Sequence, residues 1–457
     1  MTPAPAARPA VPGHVMDRLA RTDSDDESLG LLVHGQHTRR LLLLRLLLDT
    51  ATADAPPEAR ARFLGHWSLL EAAEHRSPAG REAVRETVQH PLTGPWTHQA
   101  LADLRAGRPA DLDRLGAMAV AAGLRARLSF TTRLDADHDG LHLPSLGLLR
   151  CGPGPVRIHC DGTLLRLRAD GAVSEVTVCP QPVRGAWAAH SGWRSAVVLP
   201  PLAAGHPPVP LDDQGPYRAT EQPGSPLRPT VPAPPDDAAR KRWYDVWTGG
   251  VAELLDLGHP SRLAETARLL RSVVPLLPPQ DAGPAGYCSG TRRGAFGAVH
   301  SSVPPTAVSL ASMLVHELQH AKLSALADIV PLHHAGPERR HFAPWRPDPR
   351  PFDGLWQGLY SHLALAFWWR HRALVTPDGP AREHAWAEYA RCREQTGAAL
   401  PALVGSEQLT LEGRRLADGM VAAHRSLQDL DPPAGHLARA RSYIQTARAL
   451  WSRAKTV

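Results

Sequence analysis

The stretch His316-Glu317-Leu318-Gln319-His320 decides how the C-terminal half of this chain folds. Residues four positions apart lie on the same face of an α-helix, so His316 and His320 point in one direction. Two imidazoles on one helix face, with a carboxylate beside them, are suited to bind a metal ion and to act on a metal-bound oxygen. The sequence therefore predicts a metal site with His316 and His320 as ligands and Glu317 as the catalytic residue.

The residues around this motif predict a buried helix. Positions 307–329 contain neither glycine nor proline, Thr306 precedes them, and Pro331 ends the run. The residues before His316 are apolar on nearly all sides, which is typical of a helix in a protein core. Polar side chains on a buried helix need partners, and a metal ion is one such partner. The alternative is a helix whose two histidines are only hydrogen-bonded within the core.

Composition narrows the class of protein. The chain has 457 residues, 43% of them apolar, and a net charge of +6, which is ordinary for a globular protein of two or three domains. No basic cluster is interleaved with aromatic residues, so nothing in the sequence favours nucleic-acid binding. The five cysteines form no C-x-x-C pair, which argues against a structural zinc site or an iron–sulfur cluster.

The sequence also predicts a cytoplasmic protein that does not span a membrane. The first ten residues lack the charged and then apolar pattern of a secretion signal. Residues 41–48 are nearly all leucine, but the run is short and Arg45 interrupts it. We therefore expect a core helix there and not a membrane span.

Three regions follow one another along the chain and predict an α+β fold that is mainly α. Residues 1–135 have helical spacing, residues 136–235 form a β-rich region that ends in a proline-rich linker, and residues 236–457 form a helical metal-binding domain. The local geometry of this last domain is expected to be similar to that of zincins. Asp161-Gly162 and Asp170-Gly171 are typical of hairpin turns between strands.

Apolar periodicity gives the expected elements. Helices are predicted at residues 38–51, 57–74, 112–128, 237–257, 261–274, 306–329, 352–374, 380–403 and 410–427. Strands are predicted at residues 156–160, 164–167, 173–178 and 195–199, with one or two more within 287–302. The linker, residues 223–235, is expected to have no structure of its own.

A metal held by one helix face needs a further ligand from elsewhere in the chain. His362 is the best candidate, because it lies in a segment apolar enough to be buried. The alternative for His362 is a hydrogen-bonded core residue. His333, His334 and His341 follow Pro331 and are interpreted as loop histidines exposed to solvent.

The loop before His362 combines prolines with two arginines. Residues 342–351 contain four prolines together with Arg346 and Arg350. Prolines stiffen a loop, and an arginine pairs with a carboxylate through two parallel hydrogen bonds. Arg346 or Arg350 could therefore hold a small dicarboxylate near the metal, and ordinary surface arginines are the alternative.

Two chemistries suit such a site. With zinc, Glu317 takes a proton from a metal-bound water, and the reaction is peptide hydrolysis. With iron(II), the open positions accept an oxidisable co-substrate and dioxygen. The HExxH pattern alone favours hydrolysis, because its use with zinc is the more common one.

A wider set of short blocks resembles one family, the HExxH-type, 2-oxoglutarate-dependent peptide β-hydroxylases that modify ribosomally made peptides. The strongest similarity spans roughly residues 285–415. The blocks are Gly294-Ala295-Phe296-Gly297-Ala298, His316-Glu317-Leu318-Gln319-His320-Ala321-Lys322-Leu323, Val330-Pro331-Leu332, Ala343-Pro344-Trp345-Arg346, Asp348-Pro349-Arg350-Pro351, Gly358-Leu359-Tyr360-Ser361-His362-Leu363, Phe367-Trp368-Trp369-Arg370 and Leu409-Thr410-Leu411-Glu412-Gly413.

This resemblance implies iron(II) on His316 and His320, 2-oxoglutarate as co-substrate, and hydroxylation at a β-carbon of a ribosomal precursor peptide. It also implies a radical SAM enzyme as a partner, and the chain would be a stand-alone member because it lacks the clustered cysteines of that domain. The glycine-containing strand around residues 293–300 could pair with an extended peptide. A zinc metallopeptidase and a non-catalytic peptide-binding scaffold remain the alternatives.

Overall fold

The described residues form a mainly helical fold with three β-sheets, which agrees with the predicted α+β class. The computed structural model describes residues 11–182, 184–219, 231–280, 283, 286–346 and 348–454. Most of the predicted proline-rich linker, residues 223–230, therefore lies outside the described residues. The last part of the linker pairs with the chain near Pro275, since Ala233 N donates to Pro275 O.

Six helices form the N-terminal part of the described chain. Three of them, α2, α3 and α6, correspond to predicted helices. The capping box of Asp25 and Ser28 begins α2 well before the predicted start at residue 38. The helices are α1 (Gly13–Ala20), α2 (Asp26–Asp54), α3 (Pro57–Arg76), α4 (Pro78–Val88), α5 (Thr93–Arg105) and α6 (Asp113–Arg125).

The leucine run in α2 is buried on one side only. Leu44 and Leu47 face the core, whereas Leu41 and Leu42 are 52% and 65% exposed. The expectation of a core helix therefore holds for one face of it. Within the described ranges, no helix combines the length and the apolar character that a membrane crossing requires.

The middle of the chain consists of short strands. Five of them form an antiparallel sheet in the order β1-β4-β5-β6-β7, and β2, β3 and β8 form a second sheet. Gly162 and Gly171 have φ values of +93° and +79°, which confirms the two predicted turns. The strands are β1 (Ser129–Ala136), β2 (Leu141–Leu143), β3 (Gly147–Leu149), β4 (Gly154–Asp161), β5 (Leu165–Ala169), β6 (Val176–Pro180), β7 (Ala186–Trp187), β8 (Trp193–Ser195), β9 (Val197–Leu199) and β10 (Val209–Leu211).

A third sheet supports the HExxH helix. Its order is β12-β13-β11-β10-β9, with parallel pairing of β10, β11 and β13 and an antiparallel strand at each edge. Its later strands are β11 (Ser272–Pro275), β12 (Ser289–Gly290) and β13 (Ala298–Ser301). The prediction of a helix over residues 261–274 was wrong at its end. Val273 and Val274 are fully buried β-branched residues that pair with β13, and this pairing prevails over local helical spacing.

The C-terminal helices surround this sheet. The predicted helix at 237–257 is in fact two helices, because Gly249 and Gly250 interrupt it and Gly250 has a φ of +99°. The last helix was not predicted. The helices are α7 (Asp237–Thr248), α8 (Val251–Gly258), α9 (Arg262–Leu269), α10 (Ala307–Ile329), α11 (Phe352–Val375), α12 (Pro380–Val404), α13 (Leu411–Ser426) and α14 (Ala434–Ala454).

The hydrophobic clusters cross the predicted regions. Val15, Leu19 and Leu32 from α1 and α2 belong to the same cluster as the C-terminal helices. Strands β9 and β10 lie before residue 235 but belong to the C-terminal sheet. The N-terminal segment is therefore part of the support for the HExxH helix, while the boundaries at 135 and 235 stay predictions.

A buried group of charges lies on one side of α10. Glu265 and Lys322 are 2% and 0% exposed. The Glu265 carboxylate accepts hydrogen bonds from Lys322 Nζ at 3.0 Å, Arg262 Nη1 at 2.9 Å and Ser24 Oγ at 2.7 Å on one oxygen, and from Gln319 Nε2 at 2.5 Å on the other. We call these five residues the Glu265 network. It links α9 and α10 to the turn between α1 and α2.

The same network holds the main chain of that turn. Lys322 Nζ and Arg262 Nη1 both donate to the carbonyl of Thr22, at 3.1 and 2.7 Å. Thr22 has a φ of +59°, a conformation that L side chains rarely adopt. Two buried cations therefore hold the turn between α1 and α2 against α9 and the HExxH helix.

Candidate metal centre

Helix α10 begins and ends at the residues that local chemistry favours. Thr306 caps its N-terminus by accepting a hydrogen bond from Ser309 N at 3.1 Å. The helix ends at Ile329, and Pro331 follows two residues later. The predicted span of 306–329 is confirmed, with Thr306 as the cap. Both HExxH histidines are half-buried on this helix.

His316 and His320 meet through their ε-nitrogens. The two Nε2 atoms lie 3.1 Å apart, and the ring centroids are 4.7 Å apart in an edge-to-face arrangement. Two ring nitrogens that approach this closely need a proton or a cation between them, because two lone pairs repel each other. The pair is therefore suited to share one positive ion.

Hydrogen bonds on the outer side of the rings indicate which nitrogens carry the protons. His320 Nδ1 lies 3.1 Å from Gln357 Oε1, and Gln357 in turn donates to Ser324 Oγ at 3.1 Å. His362 Nδ1 donates to the carbonyl of Gly358 at 2.7 Å. In both rings this pattern places the hydrogen on Nδ1 and leaves Nε2 free as a ligand, as outer partners do in histidine metal sites.

His362 lies next to the histidine pair. Its ring centroid is 5.3 Å from that of His316, edge to face. On its other side the indole of Trp345 stacks on the His362 ring, with centroids 4.5 Å apart and planes 19° apart. Among the described residues, no three His, Cys, Asp or Glu side chains already stand where they could hold a metal ion together. His362 as third ligand therefore stays a prediction.

Burial keeps the imidazoles of His316 and His362 neutral. It lowers the pKa of His316 well below the usual value, and the neighbouring His320 and His362 add to the effect. Burial also lowers the pKa of His362 to about 3, although its hydrogen bond to the Gly358 carbonyl acts in the opposite direction. Metal ions bind the neutral form of histidine. At neutral pH both rings are therefore in the form that a ligand requires.

Glu317 is held against the third sheet. It is 3% exposed, and its Oε1 accepts a hydrogen bond from Ser289 Oγ on β12 at 2.7 Å. Within the described part of the chain, its buried Oε2 has no hydrogen-bond partner. Burial raises the pKa of Glu317, while the charge of His320 and the hydroxyls of Ser289 and Thr291 partly offset this. The carboxyl group thus has one oxygen free beside the histidine pair.

Both arginines predicted to bind a dicarboxylate are engaged with Asp348. Arg346 Nε donates to one carboxylate oxygen of Asp348 at 2.9 Å, and Arg350 Nη1 lies 3.5 Å from the other. The backbone of Arg350 also pairs with that of His341. Arg346 pairs with Asp348 through Nε alone, so its two terminal nitrogens could still bind a carboxylate end-on. The assignment of Arg346 and Arg350 to a co-substrate stays a prediction.

Arg391 is a cation near the histidines that no motif in the sequence indicated. Arg391 is on α12, and its charge contributes to the lowered pKa values of both His316 and His362. Its guanidinium pairs with Glu388 and donates to Gln395 at 3.4 Å. No local signal marks this residue, because its position depends on how α12 packs against α11.

The other loop histidines lie around the start of α11. His333 Nε2 is 3.4 Å from Asp353, and its ring packs edge to face on Phe352 with centroids 5.1 Å apart. The ring of His341 contacts Phe352 as well, at 5.6 Å between centroids. His334 is exposed, as expected for a loop residue, whereas His333 and His341 are half-buried. The expectation that all three histidines are solvated was therefore wrong for two of them.

Gly358 makes room for the indole that covers His362. A Cβ atom at this position would lie 2.4 Å from Cζ2 of Trp345. We expect Gly358→Ala to displace Trp345 from His362, to lower the free energy of unfolding by about 1–3 kcal/mol, and to weaken iron(II) binding. Denaturant unfolding and metal titration measure the two effects.

A glycine in an open environment provides the control for this substitution. Gly65 lies within α3, and no atom of the described residues lies within 4 Å of a Cβ built there. Gly65→Ala should leave the fold intact or stabilise it by about 0.5–1 kcal/mol, because alanine is the better helix former. If Gly358→Ala were as stable as Gly65→Ala and bound iron equally well, Trp345 would have no supporting role at His362.

Comparison of the chain with models of known protein families and with curated proteins gave no match. The similarity to peptide β-hydroxylases therefore depends on the sequence blocks quoted above.

Proposed function

We propose that this protein is an iron(II)- and 2-oxoglutarate-dependent hydroxylase that acts on a β-carbon of a residue in a ribosomally synthesised precursor peptide. The observation that supports it most strongly is the approach of His316 Nε2 and His320 Nε2 to 3.1 Å, with Gln357 accepting the outer hydrogen of His320. A neutral imidazole at His316 and a fixed tautomer at His320 suit a divalent metal ion.

The residues present fit an iron(II) ion. His316 and His320 would hold it, and His362, whose free Nε2 results from its bond to Gly358, would complete the protein ligands. Bound there, iron(II) supplies the activation of dioxygen, so that 2-oxoglutarate and dioxygen give succinate and carbon dioxide while the peptide gains one oxygen atom. Imidazoles suit iron as well as zinc, so the donor set allows both metals.

The chain's own residues have separate tasks in this proposal. Trp345 covers one face of His362 and excludes water from that side of the site. Arg391, Arg346 and Arg350 are the candidate partners for the far carboxylate of 2-oxoglutarate, and the charge of Arg391 acts on His316 and His362. An arginine can bind a carboxylate with two parallel hydrogen bonds. A radical SAM enzyme would be the partner that modifies the same peptide.

Reconstitution separates this proposal from a zinc peptidase. The purified protein is loaded with iron(II) and 2-oxoglutarate without oxygen, mixed with peptide and exposed to air. We expect succinate to form and the peptide mass to rise by one oxygen atom. Shorter peptides, formed without any need for 2-oxoglutarate, would support hydrolysis in its place.

One observation favours the zinc metallopeptidase as the second candidate. The buried Oε2 atom of Glu317 has no hydrogen-bond partner within the described residues. A carboxylate with a free oxygen beside two metal ligands is the arrangement that a peptidase base requires. The role of Glu317 therefore distinguishes the two candidate functions.

Glu317→Gln tests that role. The glutamine can still accept the hydrogen bond from Ser289, so the local structure should persist. A hydroxylase does not need this group as a base, and succinate formation should stay within about tenfold of wild type. A peptidase should lose about 10²- to 10⁴-fold in peptide cleavage, the usual contribution of a general base. Succinate and cleaved peptide are both measured by mass spectrometry.

A further inference from the structure

The edge of the third sheet is β12, and β13 lies inside it. Strand β13 pairs with β11 on one side and with β12 on the other. The expectation that residues 293–300 pair with a peptide was therefore wrong, since the strand within them has no open side. Within the described chain, β12 is the last strand of the sheet on this side.

The register of β12 shows which main-chain groups face outward. Ser289 is opposite Ser301 and Gly290 is opposite His300, and Ser302 N donates to Cys288 O at 3.0 Å. In an antiparallel pair, hydrogen-bonded and non-hydrogen-bonded positions alternate along the strand. Cys288 and Gly290 are therefore bonded to β13, and the N–H and C=O of Ser289 point away from it toward the open edge.

This edge runs along the HExxH helix. Ser289 donates its hydroxyl hydrogen to Glu317 Oε1 at 2.7 Å, and Glu317 follows His316 directly on α10. Gly290, the next residue, faces the opposite side of the strand. Among the described residues, no atom lies within 4 Å of a Cβ built at Gly290.

We propose that β12 receives the substrate, and that an extended peptide adds to the sheet by pairing with the main chain of Ser289. This inference depends on the proposed function for its substrate class. Main-chain pairing tolerates many side chains, and it turns every second side chain of the peptide toward the same side. A peptide paired here lies beside the residue that holds Glu317 of the HExxH motif.

The inference is tested by binding in the absence of turnover. Immobilised full-length protein, loaded with iron(II) and 2-oxoglutarate and kept free of oxygen, is exposed to a pool of randomised linear peptides. The most enriched peptide is then labelled as the probe, and its dissociation constant is measured by fluorescence anisotropy. Proline at an edge position removes an outward N–H without breaking the ladder to the next strand.

Ser289→Pro and Ser289→Ala form a matched pair. Both lose the hydroxyl that contacts Glu317, but only Ser289→Pro loses the outward N–H. We expect Ser289→Pro to bind the probe at least about fivefold more weakly than Ser289→Ala, the effect of one main-chain hydrogen bond. Thermal unfolding shows whether both variants are folded.

A scan of the probe itself decides the question even if Ser289→Pro does not fold. Methylating one peptide nitrogen at a time should weaken binding to the wild-type protein most at the one nitrogen that donates to Ser289 O, because β12 has two residues and only Ser289 turns its main-chain groups outward. Equal binding by Ser289→Pro and Ser289→Ala, a scan in which no single nitrogen stands out, or failure to retain any peptide would overturn the inference. A peptide that binds in this way but is never hydroxylated would overturn the proposed function and leave the edge pairing intact.

Discussion

His316→Ala is expected to abolish iron binding and, with it, all formation of succinate. His316 faces His320 at 3.1 Å between ε-nitrogens and His362 at 5.3 Å between ring centroids, so it is the ring that contacts both others. Losing an outer partner of a metal ligand already costs about 10- to 100-fold in metal affinity. Removing the ligand itself should lower the metal affinity by more than this. Metal content after dialysis and succinate release are the two measurements.

His334→Ala is the matched control for that variant. His334 is an exposed histidine that follows the same helix, so its removal changes composition equally and leaves the centre untouched. We expect full iron content and full activity. If His316→Ala kept its function, the protein would be a scaffold, and the histidine pair would be a feature of the core alone.

Glu265→Ala should destabilise the fold strongly. It removes the common partner of two buried cations, Arg262 and Lys322, and leaves Gln319 without its acceptor. Breaking a buried ion pair from one side typically costs about 3–5 kcal/mol, because the remaining charge is buried and unpaired. Unfolding by guanidinium, followed by circular dichroism, measures this loss.

Asp245→Ala offers a comparison at the surface. Asp245 pairs with Lys241 at 2.6 Å, but both side chains are exposed. An exposed pair contributes about 0–1 kcal/mol, so this variant should unfold nearly as the wild type does. Equal stability of Glu265→Ala and Asp245→Ala would mean that the Glu265 network does not stabilise the fold.

The Glu265 carboxylate also determines how the free energy of unfolding depends on pH. Burial acts to raise the pKa of Glu265, but the charges of Lys322 and Arg262 and the hydrogen bond from Ser24 outweigh it and hold the pKa at about 2, against 4.5 in a free chain. The unfolded chain therefore takes up the proton first. The stabilisation is fully present above pH 4.5 and is lost as the pH falls toward 2. Glu265→Gln should flatten this part of the stability curve.

Local signals in the sequence were sufficient to predict the HExxH helix. Thr306 as its cap, the absence of glycine and proline, and Pro331 beyond its end are all local, and the structure confirms that span. Pairing of distant strands is not local. Val273 and Val274 looked helical by spacing, and only their partners on β13 make them a strand. This is why the prediction was wrong there.

The candidate site likewise combines contacts that local spacing predicts with contacts between distant residues that it does not. His316 and His320 are one helical turn apart, so the spacing alone predicts that they meet. The contact of Ser289 with Glu317 spans 28 residues, and the position of Arg391 near His316 depends on the packing of α12. No periodicity encodes such contacts. The predicted arginines Arg346 and Arg350 were chosen from loop composition, which cannot show that Asp348 already engages them.

The hydrogen bond from Lys322 to the carbonyl of Thr22 has a consequence for biosynthesis. The two residues are 300 positions apart, so Thr22 leaves the ribosome long before Lys322 is synthesised. Closing so large a loop carries an entropic cost and slows folding. Until then the N-terminal helices lack this contact and cannot complete their native packing. We therefore expect the protein to reach its native structure only after residue 322 has been synthesised.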